Sequence, residues 1–186
     1  VITLVVPTLP ERSTLDRALN SVQSQALPCL VRVEYDPDRT GAAATRNRAL
    51  ALVETEWVAF LDDDDELRPD HLRKCARHAR LTGADLVYPG YDVVGGEDPV
   101  NCFGIPFDAT LLAKRNFIPV TTLCRTAAVR AAGGFQAHPD EYGNPCEEWG
   151  LWLALLDVGA TFSHLPQRTW IWHLDGGTHR HPPKEG

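Results

Sequence analysis

The chain has 186 residues, 44% of them hydrophobic and 23% charged, with 18 Lys and Arg against 25 Asp and Glu for a formal net charge of −7. That length suits one domain around one core, and the composition excludes wholesale disorder and collagen-like structure. The acidic balance argues against generic binding to nucleic acid or anionic membrane, which needs a surplus of Lys and Arg.

In chain order, residues 1–6 are apolar and rich in β-branched side chains, which predicts a buried strand ended by Pro7. No basic region precedes that run, so it is not expected to be a signal peptide. Leu15, Ala18, Leu19 and Val22 recur at helical spacing, with Ser13 or Thr14 as the N-cap. Residues 30–35 read as a second strand and 42–53 as an alanine-rich helix. Residues 57–61 form a third strand running into Asp62, Asp63, Asp64 and Asp65. Pro69 is expected in the first turn of a helix whose buried stripe is Leu72, Cys75, Ala76 and Ala79.

Residues 86–88 predict a further strand, and 90–106 a loop with at most a hairpin. Asp108 caps a short helix ending near Asn116, and 120–124 read as a strand. Residues 126–132 form a short helix stopped by Gly133 and Gly134, followed by a loop over 135–145. A helix over 146–158 opens with Glu147 and Glu148, and 161–165 and 168–173 are extended. The polar, Gly- and His-rich tail over 175–186 reads as mobile. No apolar stretch approaches the ~20 residues that span a bilayer. The five cysteines are odd in number and lack a CxxC pair, which favours reduced thiols in a cytoplasmic protein over a zinc site or disulfide framework.

Alternating strands and helices predict an α/β domain with a Rossmann-like, mostly parallel central sheet flanked by helices. Ligands of such sheets bind at the carboxyl ends of the strands. Three polar loops follow those ends, over 7–12, 36–41 and 62–66, and their convergence predicts a site.

Four adjacent carboxylates after a buried strand repel one another, and a divalent cation such as Mn²⁺ or Mg²⁺ would relieve that repulsion. Alternate residues of an extended segment share a face, which would aim Asp62 and Asp64 at one ion. A solvated acidic loop capping the next helix is the alternative. Glu147 and Glu148 suit a helix N-terminus electrostatically, and a general base at the mouth of a cleft would look the same. Arg46 and Asn47, near a helix start after Gly41, suit a phosphate or a carboxylate, and equally an exposed helix. His173, His179 and His181 lie toward the tail and read equally as solvated residues. Trp149, Trp152, Trp170 and Trp172 read as core before sugar-stacking platforms.

Taken in order, these segments resemble a family 2 glycosyltransferase of the GT-A fold. Val5, Val6, Pro7 and Thr8, then Arg12, Ala18, Leu19, Ser21, Val22 and Gln25, resemble its opening strand, nucleotide loop and first helix. Residues 41–50, with Arg46, Asn47 and Arg48, resemble its Ala-Arg-Asn-Arg segment, and 58–67 the strand entering its Asp-x-Asp motif. Pro69, Asp70, His71 and Leu72 resemble the usual continuation. Gly133, Gly134 and Phe135, then Glu147, Glu148 and Trp149, resemble the glycine pair and acidic-acidic-Trp helix of the acceptor half.

The resemblance implies a single GT-A-like domain over 1–186, with a donor-binding half over 1–88, an acceptor half over 89–174 and a flexible tail. It implies an inverting, metal-dependent hexosyltransferase-type enzyme that uses a nucleoside-diphosphate sugar, UDP-sugar first and GDP- or dTDP-sugar as alternatives. Asp36 matches the position that reads the base, and Pro7 and Thr8 line the same pocket with Arg12. Arg46 matches the arginine that supports nucleotide and acidic loop. Asp62, Asp63 and Asp64 match the metal-and-ribose motif, with Asp64 as the direct metal ligand. Glu148 falls at the catalytic Asp, and His173 resembles the late His that joins the metal site.

Two positions depart from the family pattern. Only residues 37–45 separate Asp36 from the Ala-Arg-Asn segment, where the family carries a helix and a strand, so the sheet is expected to lack a strand or to use one for two. Glu stands at 148 where Asp is commoner, which moves the carboxylate by roughly an ångström. A nucleotidyltransferase would show a glycine- and basic-rich loop after the first strand, unlike Pro7 through Arg12. An inactive sugar-nucleotide-binding module fits the short connection. Asp62, Asp63, Asp64, Asp65, Glu66, Glu147 and Glu148 equal the acidic excess, so the charge is concentrated in the two candidate segments.

Overall fold

β1 (Ile2–Thr8) is buried along its whole length and forms the spine of a computed structural model that describes residues 1–97, 104–139, 143 and 146–174. The tail with His179 and His181, and parts of the expected loops over 90–106 and 135–145, lie outside the described residues. Ile2, Leu4 and Val6 enter one apolar layer with residues of α1 (Leu15–Gln23) and α3 (His71–Thr82). Val5 enters the opposite layer with residues of α2 (Ala42–Ala51) and α6 (Glu147–Asp157). A strand with apolar side chains on both faces needs helices on both faces, which is what forms.

The remaining strands are β2 (Leu30–Tyr35), β3 (Trp57–Phe60), β4 (Glu66–Leu67), β5 (Leu86–Val94), β6 (Leu123–Arg125) and β7 (Phe162–His173). They form one sheet in the order β2-β1-β3-β6-β5-β7-β4. β1, β2, β3, β5 and β7 run one way, and β6 and β4 run against them. The mostly parallel sheet is therefore present, and the carboxyl ends of those five strands lie along one edge. Among the described residues the sheet stops at β2, in keeping with the short 37–45 connection. Two short helices, α4 (Ala109–Leu112) and α5 (Thr126–Ala131), complete the second layer, and the Asp108 carboxylate caps α4 by accepting from Leu111 N at 3.0 Å.

Several elements differ from the sequence reading, each for a local reason. Pro7 stays inside β1. Val5 O faces β3, accepting from Leu61 N, while Thr8 O faces β2, accepting from Asp36 N. Pro7 therefore faces the β3 side, where pairing has already ended at Val5 and Phe60, and its missing N–H costs no ladder bond. β5 continues through Pro89 and Gly90 to Val94, and the two extended segments at 161–173 are one strand. Register shifts around Gly90 set Leu165 opposite Pro89 and Arg168 opposite Gly90, so Pro166 and Gln167 bulge without ending the pairing. Pro69 precedes α3 and its N-cap Asp70 rather than entering the first turn. β4 was not foreseen; its two residues pair with Ile171 and Trp170. Trp149, Trp152, Trp170 and Trp172 all lie in the core, and Trp149 and Trp152 donate their indole N–H groups to Leu112 O at 2.8 Å and Ile118 O at 3.0 Å.

Candidate active site

The strand before the acidic run ends where Leu61 N donates to Val5 O at 3.1 Å. Asp65 N then donates to Asp62 O at 3.2 Å, closing a turn that gathers Asp62, Asp64 and Asp65 until one carboxylate oxygen of each lies within 4.8 Å of the others. The spacing suggested that Asp62 and Asp64 would come together by alternation along an extended segment; they do come together, but through this turn, which brings in Asp65 as well. Asp63 points away, accepting from Thr8 Oγ1 at 2.6 Å and Arg12 Nε at 3.0 Å. Arg12 Nη2 also donates to Asp64 at 2.8 Å, and Arg17 Nη2 to the Asp64 carbonyl at 2.5 Å.

Burial, followed by the charges of Asp62 and Asp63 and opposed by Arg12, pushes the Asp64 carboxyl up to about 6. Burial and then Asp62 push Asp65 well above the ordinary range. Three hard oxygen donors, held together against their own repulsion, fit a divalent cation of the Mg²⁺ or Mn²⁺ type.

His173 ends β7 beside this turn, and its backbone N donates to Asp65 Oδ1 at 3.0 Å. Its Nε2 lies 2.6 Å from Glu66 Oε2, so the imidazole meets Glu66 rather than the three clustered carboxylates. Asp36 is buried at the end of β2. It accepts from Thr40 N at 3.0 Å, Thr40 Oγ1 at 2.7 Å and Gly41 N at 2.8 Å. Burial alone would raise its carboxyl, but these bonds and one from Arg48 hold it well below the usual range. The carboxylate thus secures the 36–41 turn that launches α2.

Arg46 joins the two acidic segments. Its side chain is 5% exposed and lies over Phe135, 5.2 Å from the ring centroid. Nη2 donates to Asp62 Oδ1 at 2.5 Å and Nη1 to Glu147 Oε1 at 2.6 Å. Burial works against this cation, yet the charges of Asp62, Glu147 and Glu148 keep it more firmly protonated than usual. Glu147 is thereby committed to Arg46. Glu148, one residue on, accepts from Asn116 Nδ2 at 3.3 Å. Burial and then Glu147 raise its carboxyl above the ordinary value, with Arg46 opposing. The site therefore joins a cluster of three carboxylates to a carboxylate of raised proton affinity across one buried guanidinium.

The sequence profile of glycosyl transferase family 2 matches residues 23–130, more than half of the chain. The chain belongs to glycosyl transferase family 2. The matched span of this family 2 chain contains Asp36, Arg46 and the acidic turn, whereas Pro7, Thr8, Arg12 and Glu148 lie outside it. The pre-mycofactocin glycosyltransferase of Mycobacterium tuberculosis (strain ATCC 25618 / H37Rv) is 31% identical over 150 residues, covering 74% of this chain and 31% of the relative. The succinoglycan biosynthesis protein ExoO of Rhizobium meliloti (strain 1021) is 31% identical over 117 residues, covering 50% of this chain and 34% of the relative. This chain thus spans about a third of the length of these curated relatives. The crystal structure of S. aureus TarS 1-349 in complex with UDP-GlcNAc superposes with a TM-score of 0.75 at 18% identity, over 96% of this chain and 60% of that one. The domain has the GT-A-like α/β fold that the sequence resemblance implied. Among the described residues no helix is long and apolar enough to cross a membrane.

Proposed function

We propose that this domain is an inverting, metal-dependent glycosyltransferase that moves a sugar from a nucleoside-diphosphate donor, UDP-sugar first, to an acceptor hydroxyl. The observation that carries this reading is the Arg46 bridge, which sets the Asp62, Asp64 and Asp65 cluster beside the start of α6. Membership of family 2 supports sugar transfer, and the TarS neighbour with UDP-GlcNAc supports the donor class. Residues 1–88 would bind the donor and 89–174 the acceptor.

Asp64, with Asp62 and Asp65, would hold the divalent ion. When bound, that ion supplies neutralisation of charge developing on the departing diphosphate. Thr8 and Arg12 hold the acidic turn through Asp63, and Pro7 beside Thr8 would line the donor pocket with them. Asp36 shapes the base pocket through the turn it secures. Glu148 takes the proton of the acceptor hydroxyl as that oxygen attacks the anomeric carbon opposite the leaving diphosphate. Its raised proton affinity suits that task, because a stronger base accepts the proton more readily. His173, on Glu66 beside the cluster, would steady the turn from the β7 side.

The test is incubation with Mn²⁺ and a panel of UDP-, GDP- and dTDP-sugars, with release of nucleoside diphosphate as the readout. Glu148→Gln is expected to abolish turnover and leave nucleotide binding within about twofold. Binding without turnover by the unsubstituted chain would instead favour an inactive module, and pyrophosphate release a nucleotidyltransferase.

A further inference from the structure

Sequence reading singled out Glu148 but nothing that orients it, and the structure supplies two candidates. Asn116 Nδ2 donates to Glu148 Oε1 at 3.3 Å and to Cys146 Sγ at 3.6 Å. The Glu148 charge also bears on the Cys146 thiol, adding to burial in raising its proton affinity. Amide, thiol and carboxylate thus close a small polar ring at the first turn of α6. We propose that Asn116 and Cys146 are positioning residues that hold the Glu148 carboxylate in a single orientation toward the acceptor hydroxyl.

The frame around this ring is rigid. Asn116 Oδ1 accepts from Ile118 N at 3.0 Å, and Phe117 and Ile118 are fully buried. The same segment is fastened to the helix that carries Glu148, since Trp149 donates to Leu112 O and Trp152 to Ile118 O. Asn116 therefore moves with α6 and keeps its distance to the carboxylate. A glutamate has one more rotatable bond than an aspartate, and the fixed hydrogen bond from Asn116, itself placed against Cys146, restricts the freedom that bond adds. The other charged groups bearing on Glu148 are Glu147 on its own helix and Arg46 from α2, and both are already paired to each other. Burial first, and then the Glu148 charge, raise the proton affinity of the Cys146 thiol, which disfavours the nucleophilic thiolate.

The inference rests on Glu148 being the base, and two measurements separate the two claims. Iodoacetamide labelling of Cys146 in the full chain, read by peptide mass spectrometry at about pH 8.5, does not depend on turnover. Glu148→Gln removes the adjacent charge and is expected to speed labelling about fivefold or more, with Cys29 unchanged; an unchanged Cys146 rate overturns the ring. Asn116→Asp retains an oxygen for Ile118 N but replaces the donor with a second carboxylate. With whichever nucleotide sugar in the panel turns over, it is expected to lower kcat about tenfold at a donor KM within about twofold, and to shift the acid limb of the pH profile upward. Asn116→Asp matching the unsubstituted chain in kcat and pH profile, at equal melting temperature, overturns the positioning role. Turnover surviving in Glu148→Gln, or no turnover with any donor, overturns the base reading and with it the positioning role, while the labelling still decides the ring.

Discussion

Asp64 shows how one carboxylate sets opposing demands. Burial with Asp62 and Asp63 nearby lifts its carboxyl to about 6, above the ordinary 3.8, although Arg12 pulls the other way. The folded state then holds the proton more tightly than the unfolded chain. Its contribution is most favourable below about pH 4 and is lost as the pH rises toward 6. At neutral pH the ionised side chain therefore destabilises the ion-free protein. Asp64→Asn should raise the melting temperature of chelator-treated protein at pH 7.5 by a few degrees, on the order of 1–3 kcal/mol, and the gain should shrink toward pH 4.5. Thermal melts across that range decide it; an equal gain at both ends would mean that the effect is not the carboxylate's charge. Destabilisation of this kind is consistent with the proposed role of Asp64 in holding an ion, and Arg46 illustrates the counterpart, a buried cation whose loss would leave Asp62 and Glu147 without their partner.

Elements hold these residues at fixed separations, and α6 is placed by a close approach at Gly150. A Cβ there would stand 2.5 Å from Gln136 O and 3.2 Å from His138 Cβ. Cys146 N also donates to His138 O at 2.7 Å, so the 136–138 segment is bound to the helix N-terminus and cannot simply withdraw. On helix propensity alone Gly150→Ala would stabilise by up to about 1 kcal/mol. The close approach reverses the sign, and a loss of about 1–3 kcal/mol is expected, seen as a lower melting temperature with weaker Arg46–Glu147 pairing. A rise in melting temperature would show that the helix sits farther from Gln136. Elements with strong local pattern were legible in the sequence: β2 matches residues 30–35, and α6 lies within 146–158. What was not legible depended on distant partners. β5 survives Pro89 and Gly90 because β7 accommodates them with Pro166 and Gln167, and two-residue β4 exists only through Trp170 and Ile171. The site divides the same way, since Asp62, Asp64 and Asp65 are gathered by one local turn while Asn116 reaches Glu148 from 32 residues away.

Across the whole molecule, the parallel strands bring chain-distant loops to one edge, and the acidic excess collects there. The sequence holds 25 acidic against 18 basic residues, and Asp62 through Glu66 with Glu147 and Glu148 match the difference. Arg12 and Arg46 offset part of this charge but are already engaged with the acidic residues. A nucleoside diphosphate approaching this edge therefore meets net repulsion unless a divalent cation enters with it. Binding of the two should be coupled, with each improving the affinity for the other by the same factor. In thermal melts of the full chain, UDP alone is expected to move the midpoint by less than about 1 °C and Mn²⁺ alone by somewhat more. The pair at about a hundredfold over Kd should add about 2.7 kcal/mol, several degrees for a domain of this size, reversed by chelator. Asp64→Ala should remove the coupling while leaving any weak shift by UDP alone. If UDP alone stabilised as much as UDP with Mn²⁺, the diphosphate would be held by protein cations, and the three clustered aspartates would have to serve the fold rather than the donor.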